Sequence, residues 1–394
     1  MRDACPICGN AALDPVFERD AFPTQQHTVF TEPAAARAVM RGEIELVFCG
    51  SCDFAFNKTF ELEKCPYGEQ YDNSMTFSPA FSKHMDERAA RVVRGRGLTD
   101  ARIVEVGCGK GHFLERVMAL EGDRSLGFGI DATYEGPLKS ADGRIVYERR
   151  FFGGEREALV ADAIVCRHVI EHVPHPLEFL RQIRAAIPAG TNTKVFFEMP
   201  ALEWILENEV FWDVFYEHCN YFSGRALRRI FEAAGFEVTD ISRVFDDQFF
   251  WLEGIAGTPV APAPAASELA PAVAHFAAVD LQHRSAWREM LGGARAHDDR
   301  VALWGAGPKG VTLANLIDPD GTLLSCVVDV NPRKQGCFIP GSGQPIVAPA
   351  ALGALGVKTV YLMNAVYYDE IEQMVRTLGL DVRLESKSPK LAAT

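Results

Sequence analysis

The sequence predicts an α/β protein built around two parallel-sheet cores, and three observations predict it. Arg102-Ile103-Val104-Glu105-Val106 is a buried-strand pattern that runs straight into Gly107-Cys108-Gly109-Lys110-Gly111 and then into a helical pattern from His112. Val301-Ala302-Leu303-Trp304 repeats the arrangement, with Gly305-Ala306-Gly307-Pro308-Lys309-Gly310 leading into a helix from Val311 to Ile317. Ahead of both cores stand two Cys-x-x-Cys knuckles, Cys5/Cys8 and Cys49/Cys52. Strand, glycine turn and helix in that order are the opening unit of a doubly wound sheet, because glycine lets the backbone turn sharply and approach a ligand.

At 394 residues the chain exceeds what one hydrophobic core organises, so several domains are expected. A zinc domain is expected at 1–68, a central domain at 69–256 and a second Rossmann-like domain at 257–394. The Pro/Ala-rich stretch 257–273 reads as a connection, followed by a helix in which Val273, Phe276, Val279 and Leu281 are apolar. The net charge of −13 argues against a nucleic-acid backbone as partner. No apolar run approaches the roughly 20 residues of a membrane span. The N-terminus lacks a signal-peptide core, and a cytoplasmic location is expected.

Ten cysteines in a reducing compartment are expected to stay unpaired by disulfides. Cys5, Cys8, Cys49 and Cys52 supply four thiolates, the donor set of a closed tetrahedral Zn2+ site, which holds structure and leaves no position open for chemistry.

The central core carries the catalytic signal. After Gly107, Gly109 and Gly111, a strand over Ser125–Ile130 ends at Asp131, placed to accept hydrogen bonds from ribose hydroxyls. S-adenosylmethionine carries a sulfonium and an amino group and no phosphate. It therefore tolerates the acid Glu105 beside a tight G-x-G-x-G loop. This pattern is that of class I (Rossmann-like) methyltransferases. Ala161–Cys166 reads as a further strand, ending at Arg167-His168-Val169-Ile170-Glu171-His172. Ligands of open α/β sheets bind at such strand ends, so Arg167 is a candidate cofactor contact and His168 and His172 line the pocket. The C-terminal loop matches a dinucleotide fingerprint more closely, which keeps an NAD-dependent oxidoreductase as a lesser alternative. Lys309 at its helix entry suits a phosphate or an anionic substrate equally well.

A further cluster, Tyr216-Glu217-His218, sits between apolar segments. Just beyond it Leu227, Ile230, Phe231 and Ala234 recur at helical spacing and Gly235 ends the helix.

These motifs occur together with Tyr71-Asp72-Asn73-Ser74 and with the tail Asp329-x-Asn331-Pro332-x-Lys334-Gln335-Gly336. In this order they resemble the three-domain C-methyltransferases that add a methyl branch to nucleotide-linked deoxysugars. The resemblance implies an S-adenosylmethionine-dependent enzyme with structural zinc and a C-terminal domain that helps hold a nucleotide-sugar. Lys309, Asn331 and Lys334 are then candidate substrate contacts, as is His172. It also implies that His218 is the base, forming an enolate beside a ketone. Glu217 is expected to orient His218 or to stabilise its charged form, and Tyr216 and Tyr71 to hydrogen-bond the enolate oxygen. The chain departs from the pattern at His168, where asparagine is expected, and at Met363-Asn364-Ala365, where a tryptophan is. Methylation of another small molecule at carbon, oxygen or nitrogen is the principal alternative.

Overall fold

The computed structural model describes residues 2–65, 77–96, 100–153, 160–261 and 265–386. Tyr71 and the expected boundary at 68/69 lie outside the described residues.

The central sheet has seven strands. Their order is Phe236–Val244, Phe249–Ala256, Lys194–Pro200, Ala163–Arg167, Arg102–Val106, Leu126–Ile130, Ile145–Glu148. The last five of these run parallel, and Phe249–Ala256 is antiparallel to both its neighbours. In chain order this is 6-7-5-4-1-2-3, with the hairpin strand reversed at one edge. The central strands read as apolar runs because helices cover both faces. Every residue of Ala163–Arg167 is buried, as are Ile103 to Val106.

The helix Gly224–Ala234 shows how local sequence sets an element. Ser223 caps it, its side chain accepting from the Ala226 N–H at 3.0 Å, and Gly235 closes it at φ +94°. Between these stops Leu227, Ile230, Phe231 and Ala234 are buried, and Phe231 meets Phe197 of the sheet edge-on at 4.8 Å.

The C-terminal core is a parallel sheet in the order Ile346–Val347, Cys326–Val328, Arg300–Trp304, Val357–Leu362, Arg383–Glu385. The helix before it runs Ala270–Ala296 and takes in the end of the expected connection. Leu281, though apolar, is 66% exposed. The inward stripe is instead Val273, Phe276, Val279, Asp280, His283, Trp287 and Leu291, because a polar pair takes the next inward turn. Asp280 accepts from buried Arg19 at 3.1 Å and pairs with Arg284 at 2.6 Å, so a carboxylate and not a leucine faces the N-terminal strands.

The N-terminal sheet is antiparallel, in the order Asp14–Pro23, Arg41–Cys49, Phe54–Asn57, Asn220–Phe222. Its fourth strand was not anticipated in a unit ending near residue 68. Phe54, Ala55 and Phe56 pair with Phe222, Tyr221 and Asn220. Arg2 reinforces the joint, donating to Asn57 O and Cys219 O at 2.6 Å each and to Asn220 Oδ1 at 2.8 Å.

Phe222 is fully buried in this joint and tilts against Phe54 at 5.0 Å. Phe222→Ala is expected to cost about 3–5 kcal/mol, the usual range for a core Phe truncation, and to lower the unfolding midpoint measured by denaturant titration. A shift below about 1 kcal/mol would mean that the joint contributes little.

Candidate active site

The candidate cofactor site lies where the central sheet changes direction, between Arg102–Val106 and Ala163–Arg167. Gly107 has φ +75°, and a Cβ there would overlap Val169. Gly109 has φ +53° and nothing within 4 Å of its missing Cβ, so its backbone is open to a ligand. Gly111 is the third positive-φ glycine of the loop. Asp131 accepts the Gly109 N–H at 2.8 Å and the Thr133 N–H and hydroxyl at 2.7 Å each. It thus ties the loop to the end of the second strand and retains acceptor capacity for a ribose.

Glu105 is buried, and its carboxylate accepts the Leu114 N–H at 3.1 Å. Burial pushes its carboxyl up to about 8, against the opposing charge of Arg167. Arg167 itself is committed within the protein. Its Nε donates to Glu198 at 2.6 Å and its guanidinium lies 4.1 Å from the Phe113 ring centroid. Burial works against ionisation of Glu198, but Arg167 and His84, the latter at 2.5 Å, hold it far below the usual carboxylate range. Arg167 therefore stands behind the cofactor loop and is bound to Glu198.

His168, directly after the strand, has φ +53°, a conformation that costs a non-glycine residue about 1–3 kcal/mol and concentrates at functional sites. Its ring meets Phe249 edge-on at 4.7 Å, and its Nδ1 lies 3.6 Å from Glu171. The turn Ile170–His172 then brings Glu171 and His172 to His218. One donor atom from each of the three lies within 4.8 Å of the others. The His172 and His218 rings are edge-to-face at 4.7 Å. Nδ1 of His172 donates to the Glu217 carbonyl at 2.9 Å, which sets its tautomer. Burial lowers the proton affinity of both imidazoles, that of His218 well below its ordinary value. Nδ1 of His218 is buried with no hydrogen-bond partner among the described residues.

Two expected roles are corrected here. Glu217 does not orient His218. Its carboxylate accepts the His27 N–H at 3.1 Å and lies 3.6 Å from His27 Nε2, and only its backbone carbonyl reaches the histidine pair. Burial pushes that carboxyl up to about 8. The Tyr216 hydroxyl is turned away from His218 and accepts the Glu61 N–H at 3.1 Å, with its ring packed on Phe60. The turn at 216–217 sends these side chains into the N-terminal domain, a direction that residue order does not reveal.

The C-terminal candidates are likewise internally partnered. Lys309 pairs with Asp213 at 2.8 Å, reaches Gln248 at 3.4 Å and lies over Trp204 at 4.7 Å, bridging two domains. Buried Lys334 donates to Ala306 O at 3.1 Å. Asn331 accepts the Arg333 N–H at 3.0 Å. Asp329, where a dinucleotide ribose would bind, accepts the Ala306 N–H at 2.9 Å and lies 3.9 Å from Lys334. These contacts shape the glycine loop from within.

Cys5, Cys8, Cys49 and Cys52 converge, their sulfurs within 4.8 Å of one another, and the Arg229 guanidinium lies 3.7 Å from Cys52 Sγ. Four such donors suit a tetrahedral zinc ion.

A family model described as "Methyltransferase domain" matches residues 81–241, and one described as "C-methyltransferase C-terminal domain" matches residues 266–379. The chain is 26% identical to C-methyltransferase NovU of Streptomyces niveus over 93% of its own length and 90% of that relative's. Together these matches make the chain an S-adenosylmethionine-dependent methyltransferase, similar over most of its length to a C-methyltransferase. A second relative, the ubiquinone biosynthesis O-methyltransferase of Histophilus somni (strain 2336), is 33% identical over 26% of this chain and 47% of its own. Among solved structures, the 1,6-didemethyltoxoflavin-N1-methyltransferase of Burkholderia thailandensis, with S-adenosylhomocysteine bound, aligns at 13% identity. That alignment covers 46% of this chain and 80% of that one, with a TM-score of 0.34. CalO1, a methyltransferase in calicheamicin biosynthesis, aligns at 18% identity over 43% and 54%, with a TM-score of 0.35.

Sequence reasoning had singled out no role for Glu171, although it adjoins His172. Its approach to His218 depends on a pairing 47 positions away that spacing does not encode.

Asp131→Ala removes both the loop tie and the candidate ribose acceptor. It is expected to weaken S-adenosylhomocysteine binding at least tenfold by calorimetry, whereas unchanged affinity would remove Asp131 from the cofactor site.

Proposed function

We propose that this methyltransferase methylates a carbon adjacent to a ketone, on a deoxysugar carried by a nucleotide, with His218 as the base. The observation that carries the reading is His218 itself, a buried imidazole kept neutral by its surroundings at the carboxyl end of the central sheet. A sugar carbon becomes nucleophilic only after losing a proton, and a neutral imidazole can take it. S-adenosylmethionine, held by the glycine loop and Asp131, supplies the electrophilic methyl group.

The deoxysugar part of the reading rests on the family resemblance, since Lys309, Asn331 and Lys334 are engaged within the protein. Asp329 has, besides its bond from the loop, buried Lys334 at 3.9 Å to meet its charge, which weighs against the NAD alternative. An oxygen or nitrogen acceptor remains the second reading. It is favoured by the Tyr216 hydroxyl, which is committed to Glu61 and leaves the enolate without that donor.

The domain division 1–68, 69–256 and 257–394 is proposed with one amendment, that residues 220–222 complete the N-terminal sheet. We also infer that Cys5, Cys8, Cys49 and Cys52 hold structural zinc. Metal analysis of the purified protein is expected to give one zinc per chain, lost in Cys49→Ala. A metal-free folded protein would overturn this assignment.

The substrate test uses a nucleoside-diphosphate-linked keto-deoxyhexose as probe. With S-adenosylmethionine, methyl transfer to carbon is expected by mass spectrometry and NMR. In D2O without the cofactor, exchange of the acidic C–H is expected. His218→Gln is expected to lower both rates by about 10²–10⁴. The base acts unprotonated, so the wild-type rate should hold at high pH and fall as pH drops through the depressed His218 value, below 6.5. That limb should vanish in His218→Gln. Neither exchange nor transfer by the wild type would overturn the keto-sugar reading.

A further inference from the structure

Glu171 has no part in the function as argued so far, yet its position is costly. It is 1% exposed, and neither carboxylate oxygen has a hydrogen-bond donor among the described residues. A carboxyl removed from water without hydrogen bonds costs several kcal/mol unless an opposite charge meets it. No Arg or Lys among the described residues is paired with it. The groups that face it are imidazoles: His172 and His218 with donor atoms within 4.8 Å, and His168 Nδ1 at 3.6 Å. The buried thiols of Cys166 and Cys219 are the other titratable neighbours that feel its charge.

His218 has the complementary problem. The titratable groups around it are His172, His27, His168 and Lys309, each of which opposes a second positive charge. Asp213 is paired with Lys309, and Glu217 faces His27. Of the acids near His218, Glu171 is the one grouped with it at ligand distance.

We propose that Glu171 is the counter-charge of His218, a positioning residue that stabilises the imidazolium formed when the acceptor's proton is taken. This rests on the reading of His218 as the base. It gives to Glu171 the role that chain order had assigned to Glu217. In the step, the acceptor C–H bond breaks, its proton passes to His218 and its electron pair stays on the acceptor as an enolate. The enolate carbon then bonds to the methyl carbon as the S–CH3 bond breaks, and that pair remains on sulfur as S-adenosylhomocysteine forms. His218 returns the proton to solvent. Glu171 gains and loses no proton; its fixed charge acts on the protonated state, as the acid of a Ser-His-Asp arrangement does.

The test uses the full chain. Histidine-labelled wild type and Glu171→Gln are titrated by NMR, with the His218 resonance assigned from His218→Gln. Glu171→Gln is expected to lower the proton affinity of His218 at least tenfold, and Glu171→Asp, which keeps the charge, to lower it less. An unchanged His218 titration in Glu171→Gln overturns the proposal. No acceptor is needed, so this result is separate from failure of the keto-sugar reading. With the keto-deoxyhexose probe in D2O, Glu171→Gln should slow C–H exchange about 100-fold while S-adenosylhomocysteine affinity stays within twofold. Equal loss of affinity would mark a merely structural role and overturn the proposal. So would a second metal ion per chain that Glu171→Gln releases, because Glu171, His172 and His218 would then be ligands.

Discussion

The pairing of Asn220–Phe222 with Phe54–Asn57 is the constraint on which the rest of the molecule depends. It draws a segment of the central domain into the N-terminal sheet, and everything adjacent to that segment follows. Phe211, Phe215, Tyr216 and Tyr221 enter one apolar core with Phe48 of the N-terminal sheet and with Trp287 and Leu303 of the C-terminal domain. Arg19 gathers the same stretch from the other side, donating to Phe211 O and to Asp280 of the long helix. His218 lies two residues from the paired strand, and its place is a by-product of joining three units. The site residues need not be individually rigid, because the core beneath them is shared.

The two glycine loops use the same device to different ends. In each, the acid that ends the second strand accepts an N–H from the loop, Asp131 from Gly109 and Asp329 from Ala306. Around Asp131 the backbone at Gly109 is open. Around Asp329 a buried lysine closes the arrangement, donating to Ala306 O and standing near the carboxylate. Gly307 of that loop is as open as Gly109, with nothing within 4 Å of its missing Cβ, so the two loops differ in the buried cation behind the second.

Much of the fold was legible because it depends on local pattern. The strands Arg102–Val106 and Arg300–Trp304 are apolar runs stopped by glycine. The helix Gly224–Ala234 carries its own cap and terminator. Where partner surfaces decide, the reading slipped. Leu281 is apolar but faces outward, and the inward position nearby belongs to Asp280, whose charge is met by Arg19 from 261 positions away. Proximity in sequence likewise suggested that Glu217 serves His218, whereas a turn sends consecutive side chains to different domains.

By itself the sequence determined the strand, glycine loop and helix that open each of the two cores, the four-cysteine set and the presence of Glu105, Asp131, His172 and His218 in one enzyme. Each is a matter of residue type at short spacing, which backbone geometry and ligand chemistry constrain directly. Only the tertiary structure decided which groups share a charge. It placed Glu171 beside His218, turned Glu217 to His27, and gave Lys309 to Asp213. The reason is physical: an ionisable side chain buried away from water takes the partner that folding brings within a few ångströms, and that distance is set by packing between segments far apart in the chain.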